Sequence, residues 1–291
     1  MLTSPGDTPG PPGLLAALVD DAGLFPPESL PMAEALARHR ADATAGSPML
    51  SHRFLCPASR IGELRTEWAR SPGPADGTEP LRLGIILDTG LDGLGAVDAE
   101  IAADPALALE MVEVPAPSAE AVTAALDALA GFEPSVFLEG PRAPEWVKAV
   151  ATANQPARLR GAKVRCGGAR ADLFPSPEEL AAFICACFEH GVPFKATAGL
   201  HGAVRHRDPE TGFVHHGFLN LVLGAVRAAA GSPVDRVAVV LASTDGPALV
   251  AEALAVSGRE VSAARLLFRA YGSCSTSEPR EEAAALGLLE V

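Results

Sequence analysis

The amino-acid sequence predicts an α/β protein, a (β/α)8 barrel with an N-terminal helical extension. Eight strand-like runs alternate with seven helix-like runs, and one further helix closes the chain. The chain has 291 residues and 48% hydrophobic content, which is enough for a large single core. We assign residues 1–45 to the extension and residues 46–291 to the barrel. An open doubly wound sheet is the competing architecture, because one sequence does not reveal strand order.

The strand-like runs are short apolar stretches bounded by turn residues. They span Arg53–Cys56, Leu81–Leu87, Leu107–Val114, Ser135–Glu139, Ala162–Cys166, Pro193–Ala198, Arg236–Ala242 and Leu266–Tyr271. The helix-like runs show apolar residues every three or four positions or begin with capping residues. They span Ile61–Arg70, Leu94–Ala103, Ala119–Leu129, Pro144–Ala153, Pro177–His190, Gly217–Ala229 and Pro247–Val256, and Pro279–Leu289 forms the terminal helix. In the extension, Leu14–His39 predicts two helices separated by a Gly-Leu-Phe-Pro-Pro break.

Charge and composition exclude several classes of function. The net charge is −13, and no basic stripe is present, so the sequence predicts neither a nucleic-acid partner nor an anionic membrane surface as partner. No apolar run is long enough to span a membrane, and the first residues do not resemble a signal peptide, which predicts a cytoplasmic protein. The five cysteines lack paired C-x-x-C spacing, so neither a disulfide framework nor a structural zinc site is expected.

Lysine is rare in this chain, and two of its lysines lie in neighbouring predicted strands. Only three of the 23 basic residues (Lys plus Arg) are lysines. Strand alternation places Lys163 and Arg165 on one face of the fifth predicted strand, and Lys195 and Thr197 on one face of the sixth. The opposite faces are apolar and should meet the helices, so these side chains are expected to converge inside the barrel.

Convergence of these cations is compatible with three roles. Crowding by positive charge would lower the pKa of Lys195 and make its amine a nucleophile toward a carbonyl group. The same cations could instead bind a carboxylate or phosphate as fixed charges. A purely structural network of ion pairs with strand-end acids such as Glu113 and Glu139 is the third reading. Asp88, Glu113 and Glu139 each close a predicted strand, and Glu139, which precedes Gly140-Pro141, is the best placed of the three for proton transfer.

Two loops supply further candidate residues. Four of the seven histidines lie between residues 201 and 216, directly after Lys195, and this clustering favours an acid/base group near neutral pH. His201 is nearest the strand end and is the candidate for proton transfer, whereas Arg205, His216 and Asn220 are candidates for substrate binding. The loop Tyr271–Pro279 is rich in small hydroxyl residues, and Ser273 and Ser275 are candidates for seating an anion at a helix start.

Several segments together resemble a family of bacterial hypothetical proteins. The segments are Ala22-Gly-Leu-Phe-Pro-Pro27, Lys163-x-Arg165-x-Gly-Gly168, Phe194-Lys-Ala-Thr-Ala-Gly-Leu-His201, His216-Gly-Phe-Leu-Asn-Leu221 and Gly272-Ser-Cys-Ser275 with Glu278-Pro279. The resemblance spans Ala22 to Leu289. It indicates which segments belong together and implies no mechanism.

A shorter segment, Lys195-Ala-Thr197-Ala-Gly199, resembles the Lys-Thr-Ser-Thr-Gly strand of deoxyribose-phosphate aldolases and their class I relatives. In those enzymes a lysine on strand six forms the Schiff base, and strand seven carries a second lysine. The resemblance therefore implies a Schiff-base lysine at Lys195. The second cation would have to be Lys163 or Arg165, because the predicted seventh strand has no lysine.

The sequence thus predicts a lyase of aldolase type that acts on a small anionic carbonyl compound, with Lys195 as nucleophile and Glu139 or His201 as proton carrier. Lys163, Arg165 and the loop serines would bind the anionic group. Two alternatives stay open: a non-covalent or metal-assisted isomerase or lyase that uses the histidine loop, and a non-catalytic protein that binds an acidic metabolite. No cofactor is expected, and no metal ligands are assigned. The quaternary state is open, with a homodimer as one option.

Overall fold

A closed barrel of eight parallel strands forms the centre of the molecule. The computed structural model describes residues 11–70, 79–153 and 159–289. Around the barrel the strands follow the order β1-β8-β7-β6-β5-β4-β3-β2, so that neighbours in sequence are neighbours in space. They span Val19–Asp21 (β1), Leu50–Pro57 (β2), Leu81–Ile86 (β3), Leu107–Pro115 (β4), Ser135–Glu139 (β5), Arg160–Arg165 (β6), Phe194–Thr197 (β7) and Phe268–Ser273 (β8). The predicted (β/α)8 barrel is confirmed, and the open sheet is excluded.

One predicted strand is wrong. Residues 236–242 belong to a helix, Val234–Ala242, that begins directly after Pro233. Its buried positions are Val237, Ala238, Val240 and Leu241, whereas Val239 between them is 63% exposed. This spacing is that of one helix face. Consecutive valines favour a strand by intrinsic propensity, but packing against the adjacent helices overrides that preference.

The missing eighth strand lies in the segment that was assigned to the helical extension. Val19–Asp21 pairs with β8 on one side and with β2 on the other, so it closes the ring. The boundary predicted at residue 45 therefore does not separate the barrel from what precedes it, although residues 1–10 lie outside the described part of the chain. A three-residue strand with two aspartates has no apolar alternation by which a sequence pattern could reveal it.

The helices cover the outside of the ring and are listed here once. They span Pro11–Leu15 (α1), Met32–Ala45 (α2), Ile61–Arg70 (α3), Leu94–Ala102 (α4), Ala119–Ala128 (α5), Pro144–Ala153 (α6), Pro177–His190 (α7), Phe218–Ala229 (α8), Val234–Ala242 (α9), Gly246–Ala255 (α10), Gly258–Leu267 (α11) and Ser277–Ala285 (α12). Between β7 and β8 the chain forms a hairpin, His206–Arg207 with Val214–His215, and then four helices, α8 to α11.

Apolar residues form two separate clusters. The large one lies between the strands and the helices and includes Phe54, Phe183, Phe194 and Phe268. The small one lies inside the ring and consists of Ala22, Leu55, Met111 and Phe137, with partly buried side chains packed against it. Because the inner cluster is small, the remaining interior positions of the barrel are available to polar side chains.

Helix α7, which follows the β6 loop, begins with a complete capping box. The Ser176 hydroxyl accepts a hydrogen bond from the Glu179 backbone N–H, and the Glu179 side chain accepts one from the Ser176 N–H. We expect Ser176→Ala to lower the free energy of unfolding by about 1 kcal/mol, because it leaves a helix N–H group without its partner. Urea denaturation measures this change. Ser262→Ala, on the exposed face of α11, is the matched control and should change stability by less than about 0.5 kcal/mol.

Candidate active site

Two neighbouring strands carry the inward-facing lysines. Lys163 on β6 is in register with Lys195 on β7, and Glu139 on β5 is in register with Lys163. The alternate residues Ala162 and Val164 are fully buried in the outer core. Since successive side chains point to opposite faces of a strand, both lysines project into the barrel, as the alternation predicts. Lys163 is 4% exposed and Lys195 is 1% exposed.

Lys195 is surrounded by carboxylates, not by cations. Its Nζ contacts Asp20 Oδ2 closely and lies 3.0 Å from Glu113 Oε1. Met111 Sδ is 3.2 Å away, and the Phe137 ring centroid is 5.6 Å away. The expected crowding of Lys195 by positive neighbours is therefore wrong, because two buried carboxylates adjoin its ammonium group.

Glu113 on β4 bridges the two lysines. Its Oε2 lies 2.5 Å from Lys163 Nζ, and its Oε1 bonds Lys195. Burial raises the pKa of Glu113, but the two ammonium charges outweigh burial and lower it to about 2. Burial likewise lowers the pKa of Lys163, yet Glu113 and Glu139 outweigh it, and the net pKa lies above the ordinary lysine value. At neutral pH Glu113 is therefore a carboxylate that pairs with both lysines.

The cluster opens toward the carboxyl ends of the strands through Glu139 and Arg165. Glu139 Oε2 lies 2.8 Å from Lys163 Nζ, and its Oε1 accepts from Arg165 Nε at 3.0 Å. The Arg165 side chain is 42% exposed, that of Glu139 is 25% exposed and that of Lys163 is 5% exposed. Burial raises the pKa of Glu139, and the charges of Lys163 and Arg165 bring it below the ordinary value. Lys163 is thus the lysine nearest the mouth.

The charged chain continues from Lys195 to the opposite end of the barrel. Asp20 Oδ1 accepts from Arg53 at 2.8 Å and from the Ser51 hydroxyl at 2.5 Å. Arg53 Nε in turn donates to Glu110 Oε2 at 2.9 Å, and Arg82 pairs with the same carboxylate. Burial raises the pKa of Asp20, and Lys195 and Arg53 bring it below the ordinary value. Residues from β1, β2, β3 and β4 therefore neutralise one another along this end of the interior.

Three of the predicted substrate-binding residues are used in the loops outside the ring. Asn220 is fully buried; its Nδ2 donates to the Val240 and Ser243 carbonyls, and its Oδ1 accepts from the Arg205 N–H. The Arg205 guanidinium donates to His216 Nδ1 at 3.1 Å, and His216 Nε2 donates to the Pro175 carbonyl at 2.8 Å. Burial lowers the pKa of His216 to about 4, so this imidazole is neutral. These contacts stabilise the residues on either side of the hairpin and involve neither lysine.

The other predicted substrate-binding residues are Thr197, Ser273 and Ser275. Thr197 lies at the carboxyl end of the barrel interior, whereas the two serines lie outside the interior. Thr197 is in register with Arg165 and half-buried, so it lies at the mouth. Ser273 is in register with Asp21, and it is 4% exposed. Because Asp20 faces the interior, alternation directs Asp21 and Ser273 to the outer wall. Ser275, two residues before α12 begins, accepts a hydrogen bond at 3.3 Å from the Glu278 backbone N–H in the first turn of that helix.

His201 lies apart from the lysine cluster. Its Nδ1 is 3.3 Å from Glu278 Oε2, and its ring nitrogens are 3.9 and 4.0 Å from Cys274 Sγ. Cys274 and His201 are 73 residues apart in the chain. The barrel brings the two together, since they follow the adjacent strands β7 and β8.

A surface cleft of about 420 Å³ lies at the other end of the barrel. It is lined by residues that precede or begin β4 and β5, among them Asp104, Leu107 and Pro134. The active sites of (β/α)8 enzymes lie at the carboxyl ends of the strands, where Glu139 and Arg165 are found. The cleft is therefore not the candidate site.

Comparison with known protein families and curated sequences gives no match from which a function could be inferred. No known family model and no curated protein sequence matches this chain. Within residues 11–70, 79–153 and 159–289, no three His, Cys, Asp or Glu side chains are grouped so that they could hold a metal ion. Over the same ranges no helix is long and apolar enough to cross a membrane. Since one barrel fold hosts many activities, function has to be argued from the geometry of the site.

Proposed function

We propose that the protein is a lyase of aldolase type, in which Lys163 forms an imine with a small anionic carbonyl compound. The observation that carries the proposal is the row Lys163, Glu139 and Arg165 at the carboxyl ends of β5 and β6. It joins an amine, a carboxylate and an exposed guanidinium within consecutive contacts of 2.8 and 2.9 Å. An amine nucleophile, a proton carrier and an anion-binding group are the parts that this reaction requires.

Strand position also favours Lys163 over Lys195 as the nucleophile. Counting from Val19–Asp21, Lys163 lies on strand six and Lys195 on strand seven. The aldolases that the chain resembles locally have their Schiff-base lysine on strand six and a second lysine on strand seven. The segment resemblance by itself implies Lys195, whereas the strand count that starts at Val19–Asp21 favours Lys163. Lys195 lies deeper and keeps a fixed positive charge next to Glu113.

Binding of an anionic substrate would prepare the amine for attack. In the resting state Glu139 is held as a carboxylate by Lys163 and Arg165. A substrate carboxylate that pairs with Arg165 removes one of these two partners. Glu139 then becomes a stronger base and accepts a proton from the Lys163 ammonium, which leaves a neutral amine beside the substrate carbonyl.

Lys163 and Glu139 supply the nucleophile and the proton that imine formation requires. The neutral Nζ of Lys163 adds to the carbonyl carbon, and the resulting carbinolamine loses its hydroxyl group as water with the proton held by Glu139. The product is a protonated imine, whose positive charge lies next to Glu113. It withdraws electrons from the adjacent carbon, so that a C–C bond or a C–H bond there can break. Glu139, again a carboxylate, accepts the proton that is released.

Proton exchange at the carbon next to the carbonyl tests the proposal without knowledge of the natural substrate. Wild-type protein should exchange the methyl protons of pyruvate in D2O, as followed by proton NMR. Glu139→Gln should slow the exchange by about 10²-fold, because it removes the base. Arg165→Ala should chiefly raise KM for pyruvate. Glu145→Gln, at an exposed position in α6, is the matched control and should leave the rate unchanged.

The proposal fails if wild-type protein exchanges none of pyruvate, 2-oxobutyrate, acetaldehyde and dihydroxyacetone phosphate faster than free lysine does. Retention of full exchange activity by Glu139→Gln would contradict the role given to this carboxylate.

A second candidate function is binding of an acidic metabolite without reaction. It is favoured by the ion pairs of both lysines, which engage each amine with two carboxylates. Calorimetry separates the two functions. A binding protein would show heat on titration with pyruvate that Arg165→Ala abolishes, with no proton exchange in the same sample.

A further inference from the structure

A cysteine, a histidine and a glutamate meet at the carboxyl end of the barrel, apart from the lysine cluster. Cys274 directly follows β8, His201 lies four residues after β7, and Glu278 is in the first turn of α12. Cys274 Sγ lies 4.0 Å from His201 Nε2, and His201 Nδ1 lies 3.3 Å from Glu278 Oε2. Cys274 is 5% exposed, and the His201 side chain is 25% exposed. None of these contacts involves the residues proposed above for imine formation.

The order of the three groups matches that of a nucleophile, a base and an orienting acid. When Nδ1 carries the ring proton and donates it to Glu278, the lone pair of Nε2 is left free. Cys274 Sγ lies 3.9 Å from His201 Nδ1 and 4.0 Å from Nε2, so in this tautomer Nε2 is the ring nitrogen that can accept the thiol proton. A base within reach of the nucleophile and a third group that orients the base are the defining features of such triads. Catalytic hydrogen bonds are often long in ligand-free proteins and tighten when a substrate binds.

The surroundings of the thiol make a base necessary. Burial raises the pKa of Cys274, and the carboxylates of Glu28 and Glu278 act in the same direction. Backbone hydrogen bonds from Glu28 and Ser275 oppose this shift without reversing it. The sulfur is consequently a thiol at neutral pH, and it becomes nucleophilic only if a neighbour accepts its proton. The two backbone donors remain available to stabilise negative charge on the sulfur as the proton leaves.

We propose that Cys274, His201 and Glu278 form a second nucleophilic site, which adds reversibly to a small aldehyde. Sγ bonds to the aldehyde carbon while His201 Nε2 accepts the thiol proton. The carbonyl π electrons move to oxygen, which then takes this proton from His201 and becomes the hydroxyl of a thiohemiacetal. No group leaves, and no oxidant is needed. Cys274 and His201 are the catalytic residues of this step, and Glu278 is a positioning residue.

Alkylation by iodoacetamide compares Cys274 with a cysteine that lacks a histidine partner. Cys185 on α7 is more exposed than Cys274, and its thiol contacts the Ser232 carbonyl at 4.0 Å. Exposure alone predicts that Cys185 reacts first, whereas the triad predicts that Cys274 reacts first at neutral pH. Peptide mapping of partly labelled wild-type protein distinguishes these outcomes.

Variants of the base then test the mechanism. His201→Gly should slow labelling of Cys274 by about 10²-fold and leave Cys185 unaffected, and added imidazole should restore the rate. Glu278→Gln should slow it by a smaller factor. A merely structural role for His201 would not give rescue by imidazole. Wild-type protein should also shift the carbonyl signal of ¹³C-labelled acetaldehyde to that of a thiohemiacetal, and Cys274→Ser should abolish this shift.

Three results would overturn this proposal: labelling of Cys185 before Cys274, insensitivity of Cys274 labelling to His201→Gly, or a thiohemiacetal signal that persists in Cys274→Ser. Because labelling of the wild-type protein decides the first point, the test does not depend on the folding of any variant. It is also independent of imine formation, since Lys163→Met should leave labelling of Cys274 unchanged.

Discussion

Glu113→Gln should lower the free energy of unfolding by about 3–5 kcal/mol, as observed when one partner of a buried ion pair is removed. Glu113 is 2% exposed and is the shared partner of Lys163 and Lys195. Glutamine keeps the shape of the side chain but loses its charge. Two ammonium groups then remain in the interior with one carboxylate partner each, and they repel one another. Urea denaturation at neutral pH measures the loss.

The same difference should disappear in acid. The folded pKa of Glu113 is lowered to about 2 from the model-peptide value of 4.5, so its carboxylate contributes stability that is fully present above pH 4.5. This contribution is lost as the pH falls through the folded value, because wild-type Glu113 becomes neutral like glutamine. Wild type and variant should therefore converge in stability near pH 2.

Glu63→Gln is the control for this prediction. Glu63 pairs with Arg60 at 2.8 Å on α3, and its side chain is 47% exposed. An exposed pair of this kind contributes about 0–1 kcal/mol, so the variant should remain close to wild type. A loss as small for Glu113→Gln as for Glu63→Gln would contradict the interpretation of Glu113 as the bridge of a buried cluster.

Lys163→Met should abolish imine chemistry while Lys195→Met should only reduce it. In Lys163→Met, Glu139 keeps Arg165 and Glu113 keeps Lys195, so each carboxylate retains a cation and the fold should be preserved. Loss of the nucleophile should lower the rate of pyruvate proton exchange by about 10³-fold or more. Proton NMR at saturating pyruvate measures this rate.

Lys195→Met is the matched variant, since it removes the other buried lysine. Asp20 then keeps Arg53, and Glu113 keeps Lys163. We expect slower exchange, because the charge next to Glu113 is lost, but the nucleophile is still present. Equal loss in both variants would mean that the two lysines act as a unit, and loss in Lys195→Met alone would contradict the assignment of Lys163.

Strand alternation was sufficient to place the two lysines inside the barrel. Lys163 and Arg165 share a face, as do Lys195 and Thr197, because the side-chain period of a strand is two residues. The partners of these lysines were harder to predict. Asp20 comes from a three-residue strand with no apolar pattern, and Arg53 reaches it from a separate strand. The prediction that cations surround Lys195 was wrong because it did not include the carboxylate of Asp20.

Two errors in the strand prediction offset each other: the predicted strand that is the helix Val234–Ala242, and the strand β1 that was not predicted. Together they kept the number of strands at eight while moving the first six predicted strands one place along the barrel. The barrel itself was thus predicted correctly with one strand misassigned, and the strand numbers used in the resemblance to aldolases were shifted by one. The proximity of Cys274 and His201 was also beyond the sequence, since it arises only where β8 packs beside β7.

Reductive trapping is the most direct test of imine formation by Lys163. Borohydride converts an imine between lysine and pyruvate into a stable secondary amine, and peptide mapping locates the modified residue. The chain has only Lys148, Lys163 and Lys195 as targets, and Lys148 on α6 is exposed and serves as the internal control. We predict pyruvate-dependent labelling of the peptide that contains Lys163. Labelling of Lys195 or Lys148 with Lys163 unmodified would contradict this account.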